Sequence, residues 1–290
     1  MTGKISVVAA CALYVLAGEL CSAWGRDESR ISFDASTPHE EIGMQFIVSD
    51  PLGRRMGNDG TRAKESPLRE IPGSGYGIES TGDDESGSPG PESIQSGIRP
   101  AAGTYTVTLY GIVTTQFDLY ISGQDVFGDR QPNSQSLDGF IAVGTTAQYV
   151  LSFNPAPGTG ISQFVKQVSF ATLRQDLRTA AGLGLIGDAK FVAKLDKTLA
   201  QGEKALVRKA HDHDKLDEGR ENKKKAVEKL REFIKKLEKA FKGENDDDRD
   251  EDDDKDHDKK HEEKEHEKPA KRSVSELAFK SLKGDAEVLI

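Results

Sequence analysis

Two runs of apolar residues at helical spacing constrain this chain more than any other feature in it. Val192, Leu195, Leu199 and Leu206 form one, and Val227, Leu230, Ile234, Leu237 and Phe241 form the other. Steps of three and four put each set on one stripe of a helix, with Lys and Glu on the far side, as at Lys223, Lys224, Lys225, Lys235 and Lys239. Neither stripe can be buried alone, so residues 188–241 predict two members of a helical layer that needs at least one more partner. Segments 170–181 and 274–290 bring the expected number to about four. Ser273 and Glu276 have the S-x-x-E spacing of a capping box, Asp188 is placed as the N-cap of the second helix, and Gly243 as the glycine stop of the third.

The first half has the other period. Tyr105, Val107 and Leu109 alternate with Thr104, Thr106 and Thr108 over 103–111, the pattern of a strand with one apolar and one hydroxylated face. Phe117, Leu119 and Ile121 repeat it after a short connection, which predicts an antiparallel hairpin between the two. Residues 42–48, 140–143 and 149–153 supply further strands, and Pro155 and Pro157 stop the sheet. The text from 52 to 102 is rich in Gly, Pro and Ser and predicts a long loop system with about one strand in it. The expected fold is therefore α+β in separate domains: an N-terminal antiparallel β-sandwich of Ig-like type over 26–157, a linker over 158–169, and a C-terminal α-helical bundle of about four helices over 170–290.

Charge divides the second domain. The net charge is −9, yet residues 244–267 alone hold fifteen Asp and Glu against five Lys and Arg, or −10, leaving the remainder near neutral. Such a density of like charges predicts a disordered, solvating insertion at 244–270. It also argues against a nucleic-acid partner, since a phosphate backbone wants a basic face.

The beginning of the chain reads as an export signal. Lys4 precedes an apolar run over 5–18, and Ala23, Trp24 and Gly25 offer cleavage between Gly25 and Arg26, giving 1–25 as signal peptide. That run is shorter than the roughly 20 residues that span a bilayer, and no later segment is apolar enough, so the mature chain is expected to be secreted or periplasmic with no membrane span. Cys11 and Cys21 both lie in the signal, so no disulfide is expected in the mature protein.

Candidate chemistry is sparse. Gly182, Gly184 and Gly187 satisfy G-x-G-x-x-G, but a helix precedes them and no parallel sheet surrounds them, so a helix-to-helix turn is expected and no dinucleotide cofactor. His257 and His261, with Asp252, Asp254 and Asp256 nearby, are the candidate ligands for a divalent cation, and His211 and His213 form a second imidazole pair. The acidic run lacks the glycine turn and ligand spacing of a calcium loop, so weak binding is the expectation. Tyr76 and Tyr110 are candidate rings for stacking on a sugar. The mature chain has no cysteine nucleophile and no G-x-S-x-G elbow, and no catalytic constellation is expected.

Two resemblances follow from particular residues. Gly103-Thr104-Tyr105-Thr106-Val107-Thr108-Leu109-Tyr110-Gly111 resembles the G-x-Y-x-V-x-V-x-G strand of β-sandwich modules appended to secreted bacterial proteins. Leu173, Leu177, Gly184-Leu185-Ile186-Gly187, Leu195, Leu199, Ala205-Leu206, Ala226, Leu230, Phe233-Ile234, Leu237, Leu282, Asp285-Ala286 and Ile290 resemble the FIMAH domain, a helical module of exported bacterial proteins, interrupted here by the acidic insertion. The resemblance implies a non-catalytic accessory module; the function expected of the chain is that of an exported accessory protein binding an envelope or extracellular ligand, a glycan or a protein, with no cofactor. The alternatives are a weak divalent-cation-binding exported protein and, in second place, a hydrolase.

Overall fold

The computed structural model describes residues 27–38, 43–62, 66–80, 92–98, 100–207, 216–243 and 273–290. Among them are two antiparallel sheets and four helices, a mixed α+β architecture. The strands are β1 (Arg30–Ser36), β2 (Met44–Ser49), β3 (Arg55–Gly57), β4 (Leu68–Arg69), β5 (Gly75–Ser80), β6 (Glu92–Ile98), β7 (Gly103–Gly111), β8 (Thr115–Gln124), β9 (Gln135–Ile141), β10 (Thr146–Phe153) and β11 (Val165–Lys166). The helices are α1 (Phe170–Gly182), α2 (Ala189–Val207), α3 (Leu216–Lys242) and α4 (Glu276–Val288).

One sheet has five strands in the order β5-β6-β1-β8-β9, the other six in the order β11-β10-β7-β2-β3-β4. β1 lies between β6 and β8, with Phe33 opposite Ser96 on one side and Ile121 on the other. The chain divides into two compact units. The first takes the described residues within Met1–Leu109, Asp118–Leu137 and Gln148–Val165; the second takes those within Tyr110–Phe117, Asp138–Ala147 and Lys166–Ile290.

In the first unit alternation sets the core. Ile31, Phe33 and Ala35 of β1, Tyr105, Val107 and Leu109 of β7, and Leu119 and Ile121 of β8 are all buried, while the residues between them are not. Phe33 of the five-stranded sheet and Phe46 of the six-stranded sheet bring their rings to 6.5 Å, and Tyr76 meets Phe46 edge-on at 5.8 Å. The Tyr105 hydroxyl donates to the Ala101 carbonyl at 2.7 Å, so the largest buried ring of β7 leaves no polar atom unsatisfied.

The expected β7–β8 hairpin does not form, because the two strands belong to different sheets. β7 has its edges on β2 and β10, and β8 on β1 and β9. Gly111 is the point of divergence. Its N–H donates to Thr145 O at 3.0 Å, its carbonyl accepts from Gly144 N at 2.9 Å, and a Cβ at this position would strike the Ala142 carbonyl. The chain is thus tied to the β9–β10 turn where a hairpin would have turned back on itself. The expected loop over 52–102 is corrected as well: β3, β4, β5 and β6 lie within it.

In the second unit the helices share one apolar core. Phe170, Leu173, Leu177 and Ala180 of α1, Leu195 and Leu199 of α2, Ala226, Leu230, Phe233 and Leu237 of α3, and Ala278, Leu282 and Ala286 of α4 are buried together with Phe140, Ile186 and Val274. Each large side chain so buried contributes about 1.5–3 kcal/mol. The inner faces are rotated slightly from the stripes read in the sequence. Val192 and Ile234 are half-buried and Leu206 is exposed, because Gly202 rather than Leu206 continues the inner face of α2, directly against the Phe170 ring.

Helix boundaries have identifiable causes. The Ser169 side chain accepts from Thr172 N, and Ser169 N donates to Thr172 Oγ1, a capping box that starts α1. Asp188 caps α2 through Lys190 N at 2.8 Å, and Gly243 follows α3 at φ 79°, as expected from the sequence. The start of α4 is corrected: Ser275 is its N-cap, accepting from Ala278 N, and Glu276 is its first residue, two positions later than the S-x-x-E spacing placed it.

Candidate functional site

Two arrangements in the second unit concentrate charge, one internal and one on the surface. The internal one joins Lys166 of β11, Asp176 of α1 and Asp285 of α4. Lys166 Nζ donates to Asp176 Oδ2 at 2.8 Å and to Asp285 Oδ2 at 2.7 Å. All three side chains are largely withdrawn from water, at 13%, 14% and 7% exposure. The capping box at Ser169 sets which face of α1 carries Asp176. The Ser275 cap does the same for Asp285, which lies between the buried Leu282 and Ala286. Burial pushes the Asp285 carboxyl up to about 7, and the hydrogen-bonded Asp176 carboxylate adds to the rise against the opposing pull of Lys166.

Besides these two, a smaller ion-pair network ties α1 to α2. Arg174 donates through Nε and Nη2 to the two Asp196 oxygens at 2.9 and 3.0 Å, and through Nη1 to Glu203 at 3.0 Å. These hydrogen bonds raise the guanidinium and hold the Asp196 carboxyl below its ordinary range. Its two-pronged geometry is that of a structural clamp.

The surface arrangement runs along α3. Arg220, Lys224, Arg231, Lys235 and Lys242 follow steps of four and seven, which places them within about 60° of one another around the helix over about 33 Å. All five are exposed, and none has an ion pair among the described residues. Acidic groups near the row include Glu221, which is bound to Lys225 and also feels Lys224, Glu228, which is exposed, and Glu238, whose carboxylate is taken by Lys283 at 2.8 Å. Three other cations of the helix are engaged: Lys225 with Glu221, and Lys229 and Lys236 with Glu232. The row is therefore a strip of exposed cations without ion pairs among the described residues, on a helical support, suited to an extended anionic ligand.

The residues singled out in the sequence fall elsewhere. His257, His261, Asp252, Asp254 and Asp256 lie outside the described residues, as do His211, His213, Gly25 and Arg26. Tyr76 is 7% exposed with its ring against Phe46, so it offers no stacking face, and Tyr110 is half-buried. The glycine-rich segment is the expected turn between α1 and α2. Gly184 has φ 71°, Leu185 N donates to Ala180 O, Gly187 N donates to Ser273 O, and Ser275 N donates to Leu185 O. Its amides are spent on the chain itself. Among the described residues no group of three or more His, Cys, Asp or Glu is placed to hold a metal ion, and no helix is long and apolar enough to cross a membrane.

Sequence reasoning missed both arrangements. The α3 row was visible as a lysine-rich far side, but which cations remain unpaired depends on rotamers and neighbours. Comparison with known proteins gives no relative to lean on: no family model, no curated protein and no solved structure matches the chain.

Proposed function

We propose that this chain is an exported, non-catalytic accessory protein that binds an envelope or extracellular ligand, an anionic glycan or an acidic protein face. In this reading the two sheets form an Ig-like sandwich module and the four helices a FIMAH-like bundle, each of the kind appended to secreted proteins. The observation that carries the reading is the α3 row of Arg220, Lys224, Arg231, Lys235 and Lys242, exposed and without ion pairs among the described residues, on one side of a helix whose opposite face is anchored in the core. The export reading rests on Lys4, the apolar run and the Ala23-Trp24-Gly25 cleavage pattern.

The test is a binding screen of the protein beginning at Arg26 against cell-wall glycans, acidic polysaccharides and envelope proteins, at low and high salt. A ligand held by the row should weaken at least tenfold in the double variant Arg231→Glu, Lys235→Glu and weaken steeply with salt. Binding unchanged by both would place the ligand on another surface.

A second reading is favoured by the charge of −10 over 244–267. Its carboxylates would attract divalent cations weakly and diffusely, with His257, His261, Asp252, Asp254 and Asp256 the nearest approach to a ligand set. Calcium titration by calorimetry separates the two: a stoichiometric, submicromolar site would make cation binding the primary role.

A further inference from the structure

Helix α4 is reached only after residues 244–272, and besides the apolar face of Ala278, Leu282 and Ala286 it is fastened by different contacts at its two ends. At the start, Ser275 N donates to Leu185 O and the Phe279 ring stacks on Phe241 at 4.4 Å. Toward the end, Asp285 reaches Lys166, which also holds Asp176. Two carboxyls thus share one ammonium. If both were ionised, the cluster would hold an uncompensated negative charge away from water, where like charges repel strongly. One proton removes the problem, since a protonated carboxyl donates to the carboxylate beside it and the trio becomes neutral.

Among the described residues Lys166 is the one cation that acts on Asp285. β11 presents Lys166 and α1 presents Asp176, the two charged groups that act on Asp285. On the α3 side Glu238 is bound to Lys283, and within α4 Lys283 spans Glu238 at 2.8 Å and Glu287 at 3.8 Å.

We propose that Lys166, Asp176 and Asp285 form a proton-operated clasp, which seats the last turns of α4 on α1 and β11 while one proton is shared, and loosens them when alkali removes it. The sign follows from linkage. The Asp285 carboxyl is raised from 3.8 to about 7 in the folded chain, so its contribution is fully present below pH 3.8 and is lost as pH rises through 7. Between pH 6 and pH 8.5 this corresponds to a roughly tenfold rise in the opening equilibrium of α4. The Phe241–Phe279 stack, which carries no titrating group, keeps the start of the helix in place.

Amide hydrogen exchange on the full chain, normalised for intrinsic rate, measures the opening. Protection of the 282–288 amides should fall about tenfold from pH 6 to pH 8.5, while Asp285→Asn, which is neutral at both, should show no fall. An equal fall in Asp285→Asn would overturn the proposal. If that variant does not fold, carbon-13 titration of the Asp176 and Asp285 carboxyls in the unaltered protein decides: a midpoint raised well above the ordinary carboxylate range at either one supports the clasp, and ordinary midpoints at both overturn it.

Discussion

Gly202 lies so close to the Phe170 ring that a Cβ in its place would fall 2.7 Å from Cε1 and 3.0 Å from Cζ. Glycine inside a helix costs about 0.5–1 kcal/mol relative to alanine, so its presence in the middle of α2 has to be offset by this close approach. Overpacking a filled core costs typically about 1–3 kcal/mol and so outweighs the gain in propensity. Gly202→Val is expected to lower stability by about 2 kcal/mol, read as a lower urea midpoint. An unchanged midpoint would mean that Phe170 can swing aside.

Phe233 and Ile234 are neighbours with different surroundings. Phe233 is fully buried and Ile234 only partly, so Phe233→Ala should cost about 3–5 kcal/mol and Ile234→Ala distinctly less. Equal losses in chemical denaturation would return the inner face of α3 to the stripe that the sequence periodicity implied.

The cap of α4 is testable by a pair of serines. Ser275→Ala removes the acceptor for Ala278 N and should cost about 1 kcal/mol, while Ser273→Ala, whose carbonyl rather than side chain is engaged, should cost little. Thermal melts of the two variants discriminate the caps directly.

Arg174 and Asp196 set an acid dependence of the opposite sign to Asp285. The Asp196 carboxyl is lowered, chiefly by hydrogen bonding from Arg174, so its contribution is present above the ordinary value of 3.8 and is lost as pH falls below it. Both side chains are about a quarter exposed, which limits the pair to about 1 kcal/mol. Arg174→Gln should therefore destabilise at pH 6 and make little difference at pH 2. The same loss at both pH values would point to packing of the arginine stem instead.

Much of the fold was legible where one residue period persisted. β7 runs from Gly103 to Gly111 as its alternation implied, and α1 to α3 begin or end within a few residues of the segments read from spacing. The β1 alternation of Ile31, Phe33 and Ala35 was also present but too short to stand out beside a polar lead. β5 was hidden because Gly75 and Gly77 contribute no side chain to a pattern, and its pairing with β6 rests on backbone hydrogen bonds that any residue can make. Strand partners were illegible for a related reason. Alternation shows which face of β7 and β8 is buried, whereas their assignment to different sheets depends on Gly111 meeting the β9–β10 turn. The Lys166 cluster had no local signal, since Asp285 lies 119 residues from its cation.

The α1–α2 turn and the residues ahead of α4 are joined by main-chain groups: Gly187 N to Ser273 O, Ser275 N to Leu185 O, and the bridge between Ile186 and Val274. The joint is closed by these main-chain groups and by the buried side chains of Ile186 and Val274, all of which lie outside 244–272, so the landing place of α4 is set without that span. The span 244–272 should then be free to lengthen, shorten or accept a foreign domain without moving the last helix, which makes it the natural point at which to reopen and rejoin this chain.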